Sequence, residues 1–194
     1  MDRSWMGKKN GFTLIELMAG ILISAIILAG LYSVFFSQQK AFSAQEQVAE
    51  MNQNIRAALD LMTREIRLAG YKTSTSTFNG IATATSGSIR ILADLNQDGD
   101  TADDNEDITY TYNPEDLQIC RNGISMPPVP VADNITSLSL QYTLKNGTVT
   151  SAPANLADIR KVNISITART THPDQGTYRT ITLSSDIALR NLVL

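Results

Sequence analysis

One long apolar stretch lies near the N-terminus. Between Glu16 and Lys40, a run of 23 residues contains no Asp, Glu, Lys or Arg and reads LMAGILISAIILAGLYSVFFSQQ. As an α-helix this run would extend about 35 Å, enough to cross a hydrocarbon core of roughly 30 Å. Arg3, Lys8 and Lys9 precede the run, and such positive charge stays on the cytoplasmic side. The pattern predicts a single-pass membrane helix with a cytoplasmic N-terminus and an extracytoplasmic remainder.

The helical period continues beyond this run, but with apolar residues on one side only. They recur at steps of three and four, at Val48, Met51, Ile55, Ala58, Leu59, Met62, Ile66 and Ala69. Asp60 and Arg64 form a favourable pair four residues apart on the remaining surface. Gly70, a residue typical of helix C-termini, follows the last periodic position. We therefore predict one helix over residues 12–69, whose second half packs its apolar stripe on a sheet.

Alternation of apolar and polar residues predicts half-buried strands in the second part of the chain. Three segments carry apolar residues at every second position, namely Leu138, Leu140, Tyr142 and Leu144; Val162, Ile164, Ile166 and Ala168; and Ile181, Leu183, Ile187 and Leu189. Ser185 interrupts the third segment. These strands and the helix predict an α+β fold, in which a long N-terminal helix packs on an antiparallel β-sheet.

Turn-forming residues predict the connections between strands. The turn NPED at residues 113–116 separates two strand-like segments, and HPDQG at residues 172–176 separates another pair. A connection rich in Ser, Thr and Gly precedes them, with a short strand near Ile81. The segment MPPVP at residues 126–130 cannot lie in a central strand, because proline lacks an amide hydrogen. We expect it to break the sheet into two portions.

Composition excludes several classes of chemistry. The only cysteine is Cys120 and the only histidine is His172, so an internal disulfide, a multi-cysteine metal site and paired histidine ligands are excluded. We expect Cys120 to be a small buried strand residue, the alternative being an intermolecular or reactive thiol, and His172 to be an exposed turn residue. The net charge is −3, with +2 over residues 1–11, which leaves −5 for the rest. No nucleic-acid partner is indicated.

Glu16 needs an explanation, because an unpaired carboxylate beside an apolar run is costly and a plain uncleaved anchor gives it no cation. The string Gly11-Phe12-Thr13-Leu14-Ile15-Glu16-Leu17, preceded by two lysines, resembles the processing site of type IV pilins and type II secretion pseudopilins. The resemblance implies that a prepilin peptidase cleaves after Gly11 and N-methylates Phe12. It further implies that Glu16 pairs with the terminal amine of a neighbouring subunit during assembly.

The resemblance also implies an organisation and partners. Residues 52–60 (NQNIRAALD) and 64–71 (REIRLAGY) resemble PilW-like minor pilins and, more loosely, J-type minor pseudopilins. A type IV pilin-like fold would comprise a cleaved leader over residues 1–11, a helix over 12–69 with its transmembrane or filament-core part at 12–36, and a β-rich extracytoplasmic domain over 70–194. The implied partners are other major and minor pilins, the prepilin peptidase and the inner-membrane pilus assembly machinery. The implied location is the inner membrane before assembly and the pilus on the cell surface afterwards.

An acidic segment suggests a metal site. Of the 19 acidic residues, nine lie between Arg90 and Arg121, and residues 94–100 read DLNQDGD, the opening of a calcium loop. The twelfth position is Asn105, with Glu106 one residue later, and the flanking segments predict strands, so we expect an EF-hand-like loop without an EF-hand domain. The expected Ca²⁺ ligands are Asp94, Asn96, Asp98, Asp100 through its carbonyl, and Glu106. The alternative is a solvated acidic loop.

Three functions follow in order of support. The first is a non-catalytic minor pilin at or near the pilus tip that helps start assembly. The second is a minor pseudopilin of a type II secretion or DNA-uptake system, which would use the same leader and helix. The third is a membrane-anchored enzyme or calcium-binding protein, for which the sequence shows no histidine-based constellation and no glycine-rich phosphate loop.

Overall fold

The computed structural model describes residues 11–73, 77–174 and 176–192 of the chain. The described chain divides into two compact units, the first ending at Gln45 and the second beginning at Glu46. All of the predicted basic leader except Gly11 lies outside the described residues.

A single helix, α1, covers Leu14–Arg67 and has 54 residues. It begins two residues later and ends two residues earlier than predicted. At its end the chain tightens, because the amides of Leu68 and Ala69 donate to carbonyls only three residues back. Gly70 then adopts a φ of +78°, the left-handed conformation that favours glycine after a helix. The predicted stop at Gly70 is therefore confirmed, with a turn between it and the helix.

Between Leu17 and Phe36, α1 carries no charged side chain, and large apolar residues lie on every side of the helix. Every large apolar side chain from Leu14 to Phe36 is exposed. This part of the helix is long and apolar enough to cross a membrane.

Among its described residues, the second unit contains nine strands in two antiparallel sheets. Sheet A has the order β1-β2-β3-β4-β5, and its strands are β1 (Ile81–Ala84), β2 (Ser88–Leu92), β3 (Asp107–Asn113), β4 (Gln118–Asn122) and β5 (Val129–Ala132). Sheet B has the order β7-β6-β8-β9, and its strands are β6 (Ile135–Leu144), β7 (Val149–Thr150), β8 (Ile159–Arg169) and β9 (Thr180–Ala188). Short 3₁₀ turns cover Leu156–Asp158 and Arg190–Leu192. The α+β prediction is confirmed.

The proline-rich segment lies where the two sheets part. Pro130 occupies β5, an edge strand of sheet A, opposite Cys120 of β4. An edge strand tolerates the missing amide hydrogen of proline. Sheet A ends at Ala132 and sheet B begins at Ile135, so the predicted two portions are present. The division falls just after the segment, because Val129 and Pro130 still pair with β4.

One hydrophobic core joins the second part of α1 to both sheets. The helix contributes its predicted stripe, with Met51, Ile55, Ala58, Leu59, Met62 and Ile66 buried. Sheet A adds residues such as Ile89 and Ile119, and sheet B adds residues such as Leu140 and Ile164. The alternation predicted for the three long apolar segments matches the inner faces of β6, β8 and β9.

Two positions in the strands differ from a simple apolar alternation. Ser185 does face inward on β9, and its hydroxyl lies 3.4 Å from that of Thr63 on α1, so the interruption marks a polar contact between helix and sheet. The prediction that Cys120 is buried is wrong, because its side chain is half-buried. Ile119 is the fully buried residue at this point of β4, and side chains of successive strand residues point to opposite faces.

His172 is exposed, as predicted.

Candidate functional site

The first helical turn contains a reciprocal cap. The Thr13 amide donates to Glu16 Oε2 at 2.9 Å and the Thr13 hydroxyl donates to the same oxygen at 2.8 Å. The Glu16 amide donates in return to Thr13 Oγ1 at 3.3 Å. This is a capping box, in which both residues satisfy amides that have no partner within the helix. Glu16 thus has hydrogen-bond donors within its own chain, whereas the sequence had suggested that its carboxylate needs a cation as its partner.

Thr13 is a functional candidate that the sequence reasoning missed. The signal was available, because a threonine followed three residues later by glutamate and an apolar run is the sequence signature of a capping box.

The predicted processing residues lie just before this cap. Gly11 is exposed, and a Cβ built on it would meet no atom of the described chain within 4 Å. Phe12 is 90% exposed. The local fold therefore does not require glycine at position 11, and the bond between the two residues is accessible.

The acidic segment forms the long loop between β2 and β3. The Ala93 amide donates to the Glu106 carbonyl at 2.9 Å, which extends the ladder one step beyond the two strands. The Asp94 amide donates to the Tyr71 carbonyl at 2.8 Å, in the segment that follows α1. Strands flank the loop on both sides, as expected. Asp94 and Glu106 are consequently held at the base of the loop by regular backbone hydrogen bonds.

Three of the five predicted ligands come together at this base. One carboxylate oxygen from each of Asp94, Asp98 and Glu106 lies within 4.8 Å of the other two. Asp94 is 0% exposed and Glu106 is 3% exposed, while Asp98 is exposed on the loop. Residues from both ends of the loop and from its middle thus form one acidic cluster, which we call the Asp94–Asp98–Glu106 cluster.

The other two predicted ligands make contacts within the loop. The side-chain amide of Asn96 donates to Asp98 at 2.9 Å and to Asp103 at 2.8 Å, and its oxygen accepts from the Asp98 amide. Asp100 Oδ1 accepts from the Ala102 amide at 2.8 Å. Their side chains therefore support the loop, and Asp103 joins this network although the sequence reasoning had not selected it.

Two acidic side chains in and beside the loop are stabilised by hydrogen bonds or by an ion pair. The pKa of Asp98 lies below its ordinary value, because its carboxylate accepts from the Asp100 amide and from the Asn96 side chain. The neighbouring Asp107 instead pairs with Arg90, whose Nε and Nη2 donate to both carboxylate oxygens at 2.8 and 2.5 Å. Asp107 is thus neutralised by a cation and stands apart from the cluster.

Comparison with known families bears on both ends of the chain. A family model described as prepilin peptidase-dependent protein B matches residues 44–187, more than half of the chain. A model described as the prokaryotic N-terminal methylation motif matches residues 6–32, which include Gly11, Phe12 and Glu16. No curated protein sequence matches the chain. The predicted relationship to type IV pilins is confirmed, and the chain belongs to the prepilin peptidase-dependent protein B family of type IV pilin-like proteins.

Proposed function

We propose that this protein is a minor pilin, which enters a type IV pilus through the apolar part of α1. Its place is at or near the tip, where it helps to start assembly, and its role is structural and not catalytic. The observation that carries the proposal is the exposed apolar surface from Leu14 to Phe36, which begins beside a capped glutamate within a matched methylation motif. A membrane and, later, the helices of neighbouring subunits would cover that surface.

Processing is the first step of the proposed role. A prepilin peptidase would cleave after Gly11 and methylate the amine of Phe12. The open space around Gly11 supports this step, because a glycine that the local fold does not require is explained by an enzyme that must fit the extended backbone there.

Assembly is the second step, and the surface around Glu16 supports it. Gly20 and Ser24 follow Glu16 at intervals of four residues, so all three lie on one face of α1. The Ser24 hydroxyl donates to the Gly20 carbonyl at 2.8 Å, which satisfies that hydroxyl within its own helix. Small residues allow a neighbouring helix to approach closely in an apolar environment. We propose that this face receives the Phe12 amine of an adjacent subunit at Glu16.

The proposed partners follow from these steps. They are the prepilin peptidase, other major and minor pilins, and the inner-membrane assembly machinery. Before assembly the protein would cross the inner membrane once, with its N-terminus in the cytoplasm, and after assembly it would lie in the pilus. Within the superfamily we propose a PilW-like subunit, with a J-type pseudopilin as the alternative.

Two experiments test the proposal. In the first, Gly11→Val should leave the precursor uncleaved, and a mature chain that begins at methylated Phe12 in this variant, detected by mass spectrometry, would refute the cleavage site.

In the second, deletion of the gene should reduce surface pili and twitching while protein secretion continues. Loss of secretion with normal pili would instead assign the chain to a secretion system.

A further inference from the structure

We propose that the Asp94–Asp98–Glu106 cluster binds one Ca²⁺ ion, which fastens the loop between β2 and β3 to the chain segment that leaves α1. This site is independent of the proposed role in pilus assembly, because it lies wholly in the second unit and uses none of the residues of the N-terminal motif.

The side chain of Glu106 carries the argument. Its Oε1 accepts from the amides of Leu95 and Asn96 at 2.6 and 2.9 Å. Its Oε2 is buried and has no hydrogen-bond partner among the described residues. A buried carboxylate oxygen without a hydrogen-bond partner is costly, and a bound ion is one way to satisfy it. A cation bound at this oxygen would supply the missing interaction.

The spacing of the cluster fits calcium. Oxygen ligands bind Ca²⁺ at about 2.3–2.6 Å, so two oxygens on one ion lie at most about 5 Å apart. The three carboxylate oxygens, all within 4.8 Å of one another, meet that limit. Without a cation, three carboxylates at this distance would repel one another, and burial strengthens the repulsion because it reduces screening by water.

The protein offers Glu106 no cation of its own among the described residues. Arg90 lies on β2, opposite Thr109 of β3, and its Nε and Nη2 donate to Asp107. No described lysine or arginine forms an ion pair with Glu106. Among the described residues, the Glu106 carboxylate is therefore not neutralised by a basic side chain, and an ion from solution could balance its charge.

Calcium fits this loop better than magnesium does. Ca²⁺ accepts six to eight oxygens in flexible arrangements, whereas Mg²⁺ demands a near-ideal octahedron and retains its water. Asp94 and Glu106 lie at the end of the strand ladder, and Asp98 lies on an irregular loop. Ligands placed without regular symmetry suit the flexible coordination of Ca²⁺. Loop carbonyls and water would complete the coordination shell.

The same geometry gives the ion a mechanical role. Asp94 receives the Thr73 hydroxyl at 3.5 Å in addition to the backbone contact with Tyr71. Within the loop, the Gln97 side chain donates to the Tyr71 hydroxyl at 3.0 Å. An ion that holds Asp94 to Asp98 and Glu106 would therefore hold the loop and the segment after α1 together.

Calorimetric titration of the full chain in detergent micelles with CaCl₂ tests the site, alongside thermal melts in CaCl₂ and in chelator. Glu106→Gln keeps an oxygen for the two backbone amides but removes the charge, and we expect it to weaken binding at least tenfold. Asp98→Asn, at an exposed position that does not support the core, should weaken binding similarly. Glu115→Gln is the matched control, since it removes one charge from an exposed turn outside the cluster and should bind as the wild type does.

At 100 times the dissociation constant, Ca²⁺ should raise the Tm of the wild type by about 5–10 °C. It should also slow hydrogen exchange at residues 94–106 and 71–73. Three results would overturn the proposal: no heat and no Tm shift up to millimolar CaCl₂, wild-type affinity in both Glu106→Gln and Asp98→Asn, or an equal Tm shift from MgCl₂.

Discussion

Arg121 on β4 and Glu65 on α1 form an ion pair, with Arg121 Nε 3.0 Å from Glu65 Oε2. The two side chains are only 15% and 16% exposed. The hydroxyl of Tyr110 on β3 donates to the same carboxylate. One helical carboxylate therefore holds two neighbouring strands of sheet A against α1.

Glu65→Ala should destabilise the second unit, because it leaves the Arg121 guanidinium and the Tyr110 hydroxyl without their shared acceptor. Removal of one partner from a largely buried pair costs about 2–4 kcal/mol, which lowers Tm by roughly 5–12 °C in a chain of this size. Thermal melts of the full chain measure the effect. Lys145→Ala is the comparison, since it breaks an ion pair with Asp158 whose lysine is 60% exposed, and it should change stability by less than about 1 kcal/mol. Equal melting temperatures for the two variants would contradict this account.

Stability should fall at alkaline pH because of two buried tyrosines. Burial raises the pKa of Tyr110 and of Tyr142 above the ordinary value, and the hydrogen bond to Glu65 adds to the increase for Tyr110. Below about pH 10 both the folded and the unfolded chain hold these protons. Above that pH the unfolded chain releases them while the folded chain retains them, so the free energy of unfolding falls by up to about 1.4 kcal/mol per pH unit for each tyrosine.

Urea unfolding between pH 8 and pH 11.5 measures this dependence. Tyr142→Phe removes one of the two groups and should make the decline above pH 10 shallower than in the wild type. The two proteins share every other ionisable group, so the difference between their two slopes isolates the contribution of Tyr142. An unchanged slope would show that Tyr142 does not link protonation to folding.

Gly80→Ala should be strongly destabilising. The Gly80 carbonyl accepts from the Leu92 amide at 2.9 Å, and the Gly70 amide donates to the Leu92 carbonyl at 2.9 Å. A Cβ at Gly80 would lie 2.2 Å from the nitrogen and 2.4 Å from the Cα of Gly70, so backbone must move. Overpacking of this kind costs about 1–3 kcal/mol or more. Gly87→Ala, with open space at its Cβ, should leave Tm within about 2 °C of the wild type, and a similar loss in both variants would show that steric contact at Gly70 is not the cause.

Glu16→Ala should affect assembly and spare folding of the second unit. The substitution removes the capping box at the helix start, but Glu16 takes no part in the core. We expect normal cleavage after Gly11, a wild-type Tm for the second unit and a reduced amount of the protein in sheared pili. Glu46→Ala, an exposed glutamate outside the apolar run, serves as the control. Wild-type amounts of the Glu16→Ala protein in pili would show that its carboxylate is dispensable for incorporation.

Periodic patterns predicted most of the fold. The helical stripe and the long alternating strands each bury one face. The spacing of apolar residues such as Ile55 and Ile164 therefore predicts where these elements lie. The face of Cys120 could not be predicted in the same way. A five-residue strand with few apolar residues, such as β4, offers too little alternation to decide which side faces the core.

The acidic site was predictable in composition but not in geometry. Alternate oxygen-bearing residues suggested five ligands, yet only the ladder between β2 and β3 determines that Glu106 returns beside Asp94. Contacts between distant segments, such as Thr63 with Ser185 and Glu65 with Arg121, leave no local signature either. They depend on how helix and sheets pack, which no short stretch of sequence encodes.

The cap between Thr13 and Glu16 affects how the protein could exist in the membrane before it is assembled. Glu16 is the only acidic residue between Gly11 and Gln45, and its carboxylate already receives the Thr13 hydroxyl and amide. A subunit so equipped needs no companion to shield its charge, so single copies could persist, dispersed in lipid, between rounds of filament growth. In the proposed role at the start of assembly, cells could then hold a reserve of this protein in the membrane from which new filaments begin.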